Sequence, residues 1–284
     1  MPELPEVQTI VDDLNRKILG RRVAAFWSDT PRIFRYATIA KIRSGIRNLK
    51  IRAIERRGKN IIFHLSKDRI LVIHPKLTGH LLIGKWKKDN EKWPYIRAAF
   101  TLDNGLTLGF SDVRKFGKIM FGDRRKIESL PDLKNLGPDP LSRDLTISKF
   151  KDLISREKRK IKIVLLDQEV IAGIGNIYSD EALWMAKIHP FTPANKLNER
   201  QLKALFAVIK KVLRRSLRVR GSSLRNYRDT EGREGGYIKY RKVYNREELL
   251  CFRCKTKIKR IKMNARSAHF CPKCQLLSYL PIGK

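Results

Sequence analysis

The sequence predicts a multidomain α+β protein: an N-terminal β-sandwich carrying one N-terminal helix, then a helical domain, then a small C-terminal β-hairpin bearing cysteines. Three observations predict it. A helical repeat opens the chain and gives way near residue 21 to short strand-like runs punctuated by Gly, Asn, Asp and Pro. After a Gly-Pro-Asp-Pro segment the period returns to that of helices. All four cysteines lie between 251 and 274, in two pairs.

After Pro5, the residues Val7, Ile10, Val11, Leu14 and Ile18 recur at helical spacing, and Gly20 stops the run. Pro5 suits a first helical turn, where its missing N–H costs nothing. Strand-like runs follow at 22–27, 61–65, 70–74, 97–102, 107–110 and 118–121, with Asp103-Asn104-Gly105 as a hairpin signal. Leu136-Gly-Pro-Asp-Pro-Leu141 reads as a linker. Segments 148–155, 161–167, 177–186 and 199–218 look helical, with Asn198 placed to cap the last. Between the second and third lies Ile171-Ala-Gly-Ile-Gly-Asn176; a helix, a Gly-rich turn and a second helix present backbone amides to phosphate. Residues 221–236 are polar, glycine-rich and aperiodic, and are expected to form a mobile loop.

The chain has 284 residues, 63 Lys or Arg against 28 Asp or Glu, and a formal charge of +35. At 42% hydrophobic residues it can build real cores, which excludes a disordered polybasic tail. No apolar run is long enough for a transmembrane helix, and the start MPELPEVQ resembles neither a signal nor a transit peptide. The expectation is a cytoplasmic, nucleoid-associated protein with no membrane partner. Charge of this sign points to nucleic acid, since neutralising phosphates releases condensed counterions; a footprint of roughly 6 to 10 phosphates would use only part of it. Ribosomal or membrane-surface roles also fit the charge alone.

The cysteines read Cys251-x2-Cys254, sixteen residues, then Cys271-x2-Cys274. That is the spacing of a structural four-thiolate Zn2+ site, each pair on its own turn beside a hairpin. Two disulfides would need an oxidising compartment. The spacer carries Lys255, Lys257, Lys259, Arg260, Lys262 and Arg266 and no acid, as suits a DNA-contacting zinc-finger β-hairpin.

Pro2 follows the initiator Met, and Met removal would leave it as a secondary α-amine. An α-amine titrates near about 8 and Lys near about 10.4, so at neutral pH the former is on the order of a hundredfold richer in its neutral form. A helix N-terminus would lower it further. An amine attacking a sugar C1′ gives a cationic imine that favours elimination of the 3′ phosphate, and Glu3 and Glu6 stand beside it as proton carriers. Without more, Pro-Glu-Leu-Pro-Glu is only a capped helix start.

Pro2-Glu-Leu-Pro-Glu-Val7, Arg56-Arg-Gly-Lys59, Asp112-Val-Arg-Lys-Phe-Gly117, Leu136-Gly-Pro-Asp-Pro-Leu141, Gly173-Ile-Gly-Asn-Ile-Tyr178 and the four-cysteine finger occur in one order over nearly the whole chain. Together they resemble the formamidopyrimidine-DNA glycosylase family. The resemblance implies four segments: a catalytic β-sandwich at 1–125, a linker at 126–142, a helix–two-turn–helix DNA-binding domain with a lesion loop at 143–236, and a zinc-finger domain at 237–284. It implies a monomeric, bifunctional glycosylase and abasic-site lyase of base excision repair, acting on oxidised purines in double-stranded DNA. Pro2 would be the nucleophile, Glu3 the general acid and Glu6 its support. Lys59, at a strand start, would contact the lesion's phosphates and serve β-elimination, and Arg266 would grip phosphate and assist δ-elimination. Leu77, Arg114 and Phe116 would fill the void left by a flipped base. Asn176 would bind backbone phosphate, and Lys158 and His74 would contact DNA, although a helix cap, a solvated lysine and a packed histidine are the ordinary alternatives.

The sequence departs from the family in places. His74-Pro-Lys-Leu77 stands for a more usual His-Leu-Gly-Met, Tyr95-Ile-Arg97 for His-Asp-His, and Arg220-Gly-Ser-Ser for Gly-Gly-Thr-Thr. Residues 276–284 extend past the usual end. An endonuclease VIII-like preference for oxidised pyrimidines is the alternative on the same chemistry, and Leu4 argues against it because that branch usually has Gly there. A catalytically silent nucleic-acid-binding zinc protein is the alternative of another class, and it has no need of Pro2, Glu3 and Lys59 together. A ribosome-associated zinc ribbon leaves the β-rich half unexplained.

Overall fold

The computed structural model describes residues 1–86, 95–223 and 227–277. It contains two compact units: Met1–Asn135 with Leu217–Ile238, and Leu136–Ser216 with the chain from Lys239 onward.

In the first unit, helix α1 (Leu4–Ile18) forms where the 3.6-residue repeat places it. Pro5 lies in its first turn, and the Glu6 carboxylate accepts the Glu3 N–H at 2.8 Å. That bond satisfies a backbone donor with no partner inside the helix. Its apolar stripe, Val7 through Ile18, is buried. Among the described residues nine strands follow: β1 (Val23–Ser28), β2 (Phe34–Arg35), β3 (Ile51–Arg57), β4 (Asn60–Leu65), β5 (Arg69–His74), β6 (His80–Gly84), β7 (Ile96–Leu102), β8 (Thr107–Ser111) and β9 (Lys118–Asp123). They make a four-stranded sheet, β1-β7-β8-β6, and a five-stranded sheet, β2-β9-β5-β4-β3. Phe26, Phe100 and Phe110 of the first meet Phe63, Ile73, Ile119 and Phe121 of the second in one core, which α1 joins. This is the expected sandwich. The Asp103-Asn104-Gly105 turn joins β7 to β8, with Gly105 at φ +78° and Leu102 N–H bonded to Leu106 C=O at 2.8 Å.

The sequence reading lacked β2, β3, β6 and helix α2 (Ile39–Ile46). In β3 the buried residues Ile51 and Ile54 stand three apart rather than two, because the register shifts between Ile51 and Ala53, and Arg52, Arg56 and Arg57 stand among the remaining positions. The segment 126–142 is not a bare linker either. It begins within helix α3 (Arg124–Glu128) and continues through helix α4 (Pro131–Lys134), both in the first unit. From Leu136 the chain packs in the second unit: Gly137 N–H reaches Gln168 C=O at 2.9 Å and Ala172 N–H reaches Pro138 C=O at 3.1 Å. A Cβ on Gly137 would collide with the backbone of Glu169 and Val170, so this close approach requires glycine.

The second unit holds α5 (Ile147–Ser155), α6 (Ile161–Leu166), α7 (Asn176–Met185), α8 (Glu199–Arg218) and the hairpin β10 (Lys259–Met263) with β11 (Arg266–Phe270). Asn198 caps α8, its Oδ1 accepting the Gln201 N–H at 2.9 Å. The finger was expected to be a separate domain, yet a buried polar network fastens it to the helices. Lys162 of α6, fully buried, gives its ammonium to Asp180 Oδ1 at 2.5 Å and to Ser179 Oγ at 2.9 Å. Asp180 Oδ2 accepts both the backbone N–H and, at Nδ1, the ring of His269 on β11, each at 3.0 Å. Next to it, the Glu181 carboxylate accepts the N–H groups of Lys242, Val243 and Tyr244. Burial raises the Glu181 pKa, against the pull of those three backbone donors.

Asp180→Asn would leave the buried Lys162 ammonium without its counter-charge. The expected cost is about 3 to 5 kcal/mol, read from the midpoint of urea unfolding at constant slope.

Candidate active site and nucleic-acid interface

Within the first unit, strand register collects four of the five expected catalytic residues, Pro2, Glu3, Glu6 and Lys59; the fifth, Arg266, lies in the second unit. Arg57 pairs with Asn60, Ile61 with Ile73, and His74 with Lys118. The Gly58-Lys59 turn, the 75–79 connection and the 112–117 connection therefore lie at one end of the five-stranded sheet. Helix α1 points its N-terminus to the same end: Asn15 Nδ2 donates to Ile54 C=O at 2.8 Å, and seven residues earlier Gln8 Oε1 accepts from Arg56 Nε at 2.9 Å. Pro2, Glu3 and Glu6, all buried, lead that helix. Lys59 is the second residue of the turn rather than the start of the strand, and it too is buried, at 4% exposure. A lysine so withdrawn from solvent is not an ordinary surface cation.

Glu6 is held from two sides. Its Oε2 takes the Glu3 N–H, and its Oε1 takes the Ser222 N–H at 2.7 Å. Ser222 belongs to the 221–236 segment, expected to be a mobile loop. The described part of that segment is instead tied down, with Asp229 accepting the backbone N–H groups of Glu231 and Arg233 at 2.9 Å each. The Leu217–Ile238 stretch also belongs to the first unit, whereas the sequence divides it at 236 between the expected helical and zinc-finger domains.

His74 stands at the end of β5 with its Nδ1 accepting the Lys76 N–H at 3.0 Å, which places the ring proton on Nε2. Burial, together with the charges of Lys76, Lys59 and Lys118, pushes its pKa down to about 3, so the ring is a neutral donor at pH 7. Leu77, half-buried, sits two residues beyond Pro75 in a turn that the Thr78 hydroxyl joins to the next loop by donating to Asp112 Oδ1. Asp112 is fully buried, and it also accepts the Arg114 N–H at 3.2 Å and the Gly117 N–H at 2.7 Å. These bonds shape a loop that presents Arg114 and Phe116 outward, the guanidinium 4.6 Å from the ring centroid. Phe116 is 48% exposed, and an aromatic ring held in water beside a cation suits insertion into a base stack. Leu77, Arg114 and Phe116 thus sit on two loops bonded to one carboxylate.

In the second unit, Asn176 is the first residue of α7 and Gly175 is its N-cap, so the asparagine is not a cap. Its Oδ1 is buried without a hydrogen-bond partner in the structure, while its carbonyl accepts from Lys162 at 3.1 Å. Lys158 is exposed just ahead of α6, and Arg266 is exposed at the start of β11, opposite Met263. The four cysteines come together with Sγ atoms all within 4.8 Å of one another; three of the pairs are 3.3, 3.4 and 3.9 Å apart. Zn–S bonds of about 2.3 Å in a tetrahedron put sulfurs about 3.8 Å apart, and a disulfide would be far shorter. The donor set fits structural zinc. Cys251 and Cys271 pack with Trp184, Val243 and Ile258, so the metal would anchor a small core of its own.

The sequence reading assigned no role to Asp112, Thr78, Gly221 or Ser222. Asp112 opens the Asp112-Val-Arg-Lys-Phe-Gly117 motif, whose ends its carboxylate joins through the Gly117 N–H. Nothing in the sequence pairs Glu6 with Ser222, 216 positions away.

The comparisons agree with this geometry. Residues 1–119 match the formamidopyrimidine-DNA glycosylase N-terminal domain, 136–228 the H2TH domain of the same enzymes, and 249–276 the zinc finger found in FPG and IleRS. A formamidopyrimidine-DNA glycosylase of Herpetosiphon aurantiacus is 41% identical over 97% of this chain and 100% of its own. Among solved structures, the Lactococcus lactis Fpg in complex with DNA containing an abasic site is 31% identical, with a TM-score of 0.88 over 96% of this chain and 99% of that one. MutM in complex with DNA containing carbocyclic 8-oxo-G is 32% identical, with a TM-score of 0.88 over 97% and 100%. Sandwich, helical segment and finger define a DNA glycosylase architecture. The chain belongs to the formamidopyrimidine-DNA glycosylase family, and its cysteine cluster is that family's structural zinc site.

Two outcomes follow from the site. His74 is expected to stay neutral, protonated on Nε2, from pH 8 down to pH 5, which imidazole 15N shifts report. Because its folded pKa lies below the ordinary value of 6.5, its contribution to stability is full above that value and is lost as pH falls from there towards about 3. Cys254→Ser is expected to lose the metal, measured as zinc per chain by plasma mass spectrometry, and duplex affinity with it.

Proposed function

We propose that the chain is a bifunctional glycosylase and abasic-site lyase of base excision repair, excising 8-oxoguanine and formamidopyrimidines from duplex DNA as a monomer at the nucleoid. The observation that carries the reading is the convergence of Pro2, Glu3, Glu6, Lys59, His74, Leu77, Arg114 and Phe116 on one end of the five-stranded sheet. Among the described residues, no helix is long and apolar enough to cross a membrane. The relatives named for formamidopyrimidine and bound to 8-oxo-G or abasic DNA support the substrate class.

In this reading the secondary amine of Pro2, freed by Met1 removal, attacks C1′ of an extruded nucleotide, and the C1′–N bond to the damaged base breaks. Glu3 delivers a proton to the ring oxygen as the C1′–O4′ bond opens, leaving an iminium between Pro2 and the sugar. Loss of a C2′ proton then expels the 3′ phosphate, a second elimination expels the 5′ phosphate, and water releases Pro2. Glu6 holds the Glu3 backbone. Lys59 and the neutral Nε2–H of His74 bind phosphates flanking the sugar. Arg114 pairs with the orphaned base while Leu77 and Phe116 hold the stack apart. In the second unit, Asn176, Lys158 and Arg266 bind the backbone, with zinc fixing the hairpin that carries Arg266. Charge-assisted contacts of this kind set affinity and its salt dependence.

Borohydride trapping on a duplex with 8-oxoguanine opposite cytosine, followed by peptide mapping, tests the reading. The expected result is an adduct on Pro2, with Pro2→Gly slower by about tenfold or more. Equal trapping by both proteins would remove Pro2 from its role. An adduct on an abasic duplex alone would move the lesion preference elsewhere, and none on either duplex would leave a binding protein.

A further inference from the structure

The stretch that carries Ser222 to Glu6 begins with two successive residues in the left-handed region, Arg220 at φ +62° and Gly221 at φ +85°. Glycine is required at 221, where a Cβ would sit 2.7 Å from Glu6 Oε1. Arg220 has a Cβ, and for it this conformation is unfavourable unless its surroundings impose it. Its guanidinium explains how it is imposed. Nη2 pairs with Asp229 Oδ2 at 2.7 Å and also with Asp13 Oδ2, while Nε reaches Asp229 Oδ2 at 2.9 Å. Both carboxylates are 2% exposed, so the cation has two nearly buried partners on different parts of the unit.

Asp13 lies on α1, two turns beyond Glu6, and also pairs with Arg16 and accepts the Thr230 hydroxyl at 3.1 Å. Asp229 is gripped by Arg233 as well, at 3.0 Å. Burial alone would raise the Asp229 pKa, but the backbone N–H groups of Arg233 and Glu231 and the two guanidiniums together hold it low, so it is ionised throughout the working range. The return side is closed by Tyr237 N–H on Gly221 C=O at 2.9 Å and Gly236 N–H on Val219 C=O at 2.8 Å.

We infer that Arg220 is a positioning residue for the chemistry at the N-terminus. Shared between Asp13 and Asp229, it locks the left-handed turn that delivers the Ser222 amide to Glu6. Glu6 in turn fixes the Glu3 amide, the peptide group adjoining Pro2. One side of the clamp is the helix that bears the nucleophile, so the position of the reacting amine depends on a segment more than 200 residues away in sequence. The catalytic part of this inference rests on Pro2 acting as proposed above; the clamp on Glu6 does not.

Arg220→Gly tests it, because glycine fits the backbone angle, so the guanidinium is lost with the rest of the side chain and no new backbone strain is introduced. Two readouts are needed on the full chain: the amide proton shifts of Glu3 and Ser222 by NMR, and single-turnover borohydride trapping on an abasic duplex beside the affinity for that duplex. The expected result is a displacement of both amide shifts and trapping slower by about tenfold with affinity held within about twofold, since small misplacements of a nucleophile lower rate more than binding. Arg220→Lys should recover part of the rate, and Asp13→Asn should mimic Arg220→Gly without adding to it. Should Arg220→Gly fail to fold, those two variants carry the same readouts. Unmoved amide shifts with wild-type trapping would overturn the inference. Displaced shifts in a protein whose wild type gives no Pro2 adduct would keep the clamp and reject the reading of Pro2.

Discussion

The antiparallel register around β5 is the constraint on which the catalytic unit depends. Paired with β4 on one side and β9 on the other, β5 fixes which connections emerge together at its far end. A shift of one residue would turn Ile73 out of the core and carry His74, the Gly58-Lys59 turn and the Asp112 loop out of step with one another. Register is protected because Phe63, Leu71, Ile73 and Phe121 all face the shared core. The same apolar pattern that stabilises the sandwich therefore aligns groups that never touch the core.

A second theme is the use of buried carboxylates as junctions. Glu6, Asp180 and Glu181 each accept backbone N–H groups from outside their own secondary-structure element, and Asp112 accepts two from within its own loop. In a chain with so large an excess of cations, acids withdrawn from the surface do not lower its affinity for phosphate, yet they satisfy loops that would otherwise leave donors unpaired. Apart from the buried Lys59 and Lys162, the cations expected to meet DNA include Lys158, Arg114 and Arg266, all exposed.

Much of this was legible in the residues. Period and punctuation located α1, most strands and all the long helices, because each has one face in a core. Cysteine spacing located the zinc site, because tetrahedral thiolate ligation tolerates few alternatives. The ordered motifs located the N-terminal site. What escaped were features set by distant partners. Strand β3 hides its pattern under arginines, and the 136–141 segment reads as a linker while packing against 168–172. Residues 221–236 look like loop by composition, yet the described part is ordered by contacts to Asp13 and Glu6 at the other end of the sequence. Composition records local preference, and these contacts are not local. The 278–284 tail and residues 224–226 lie outside the described residues.

The Lys162–Asp180–His269 chain has a consequence for how such proteins can be recombined. Since β11 is bonded through His269 to the helix that begins at Asn176, finger and helices share one buried polar core, and the peptide order misstates the natural seams. A chimera that exchanges the finger alone, cut near residue 237, would separate a histidine from its aspartate and an acid, Glu181, from the three amides it holds. Exchange that respects the fold must move 136–216 and the finger together and leave the intervening strand of chain with the sandwich. The heritable module in this protein is discontinuous.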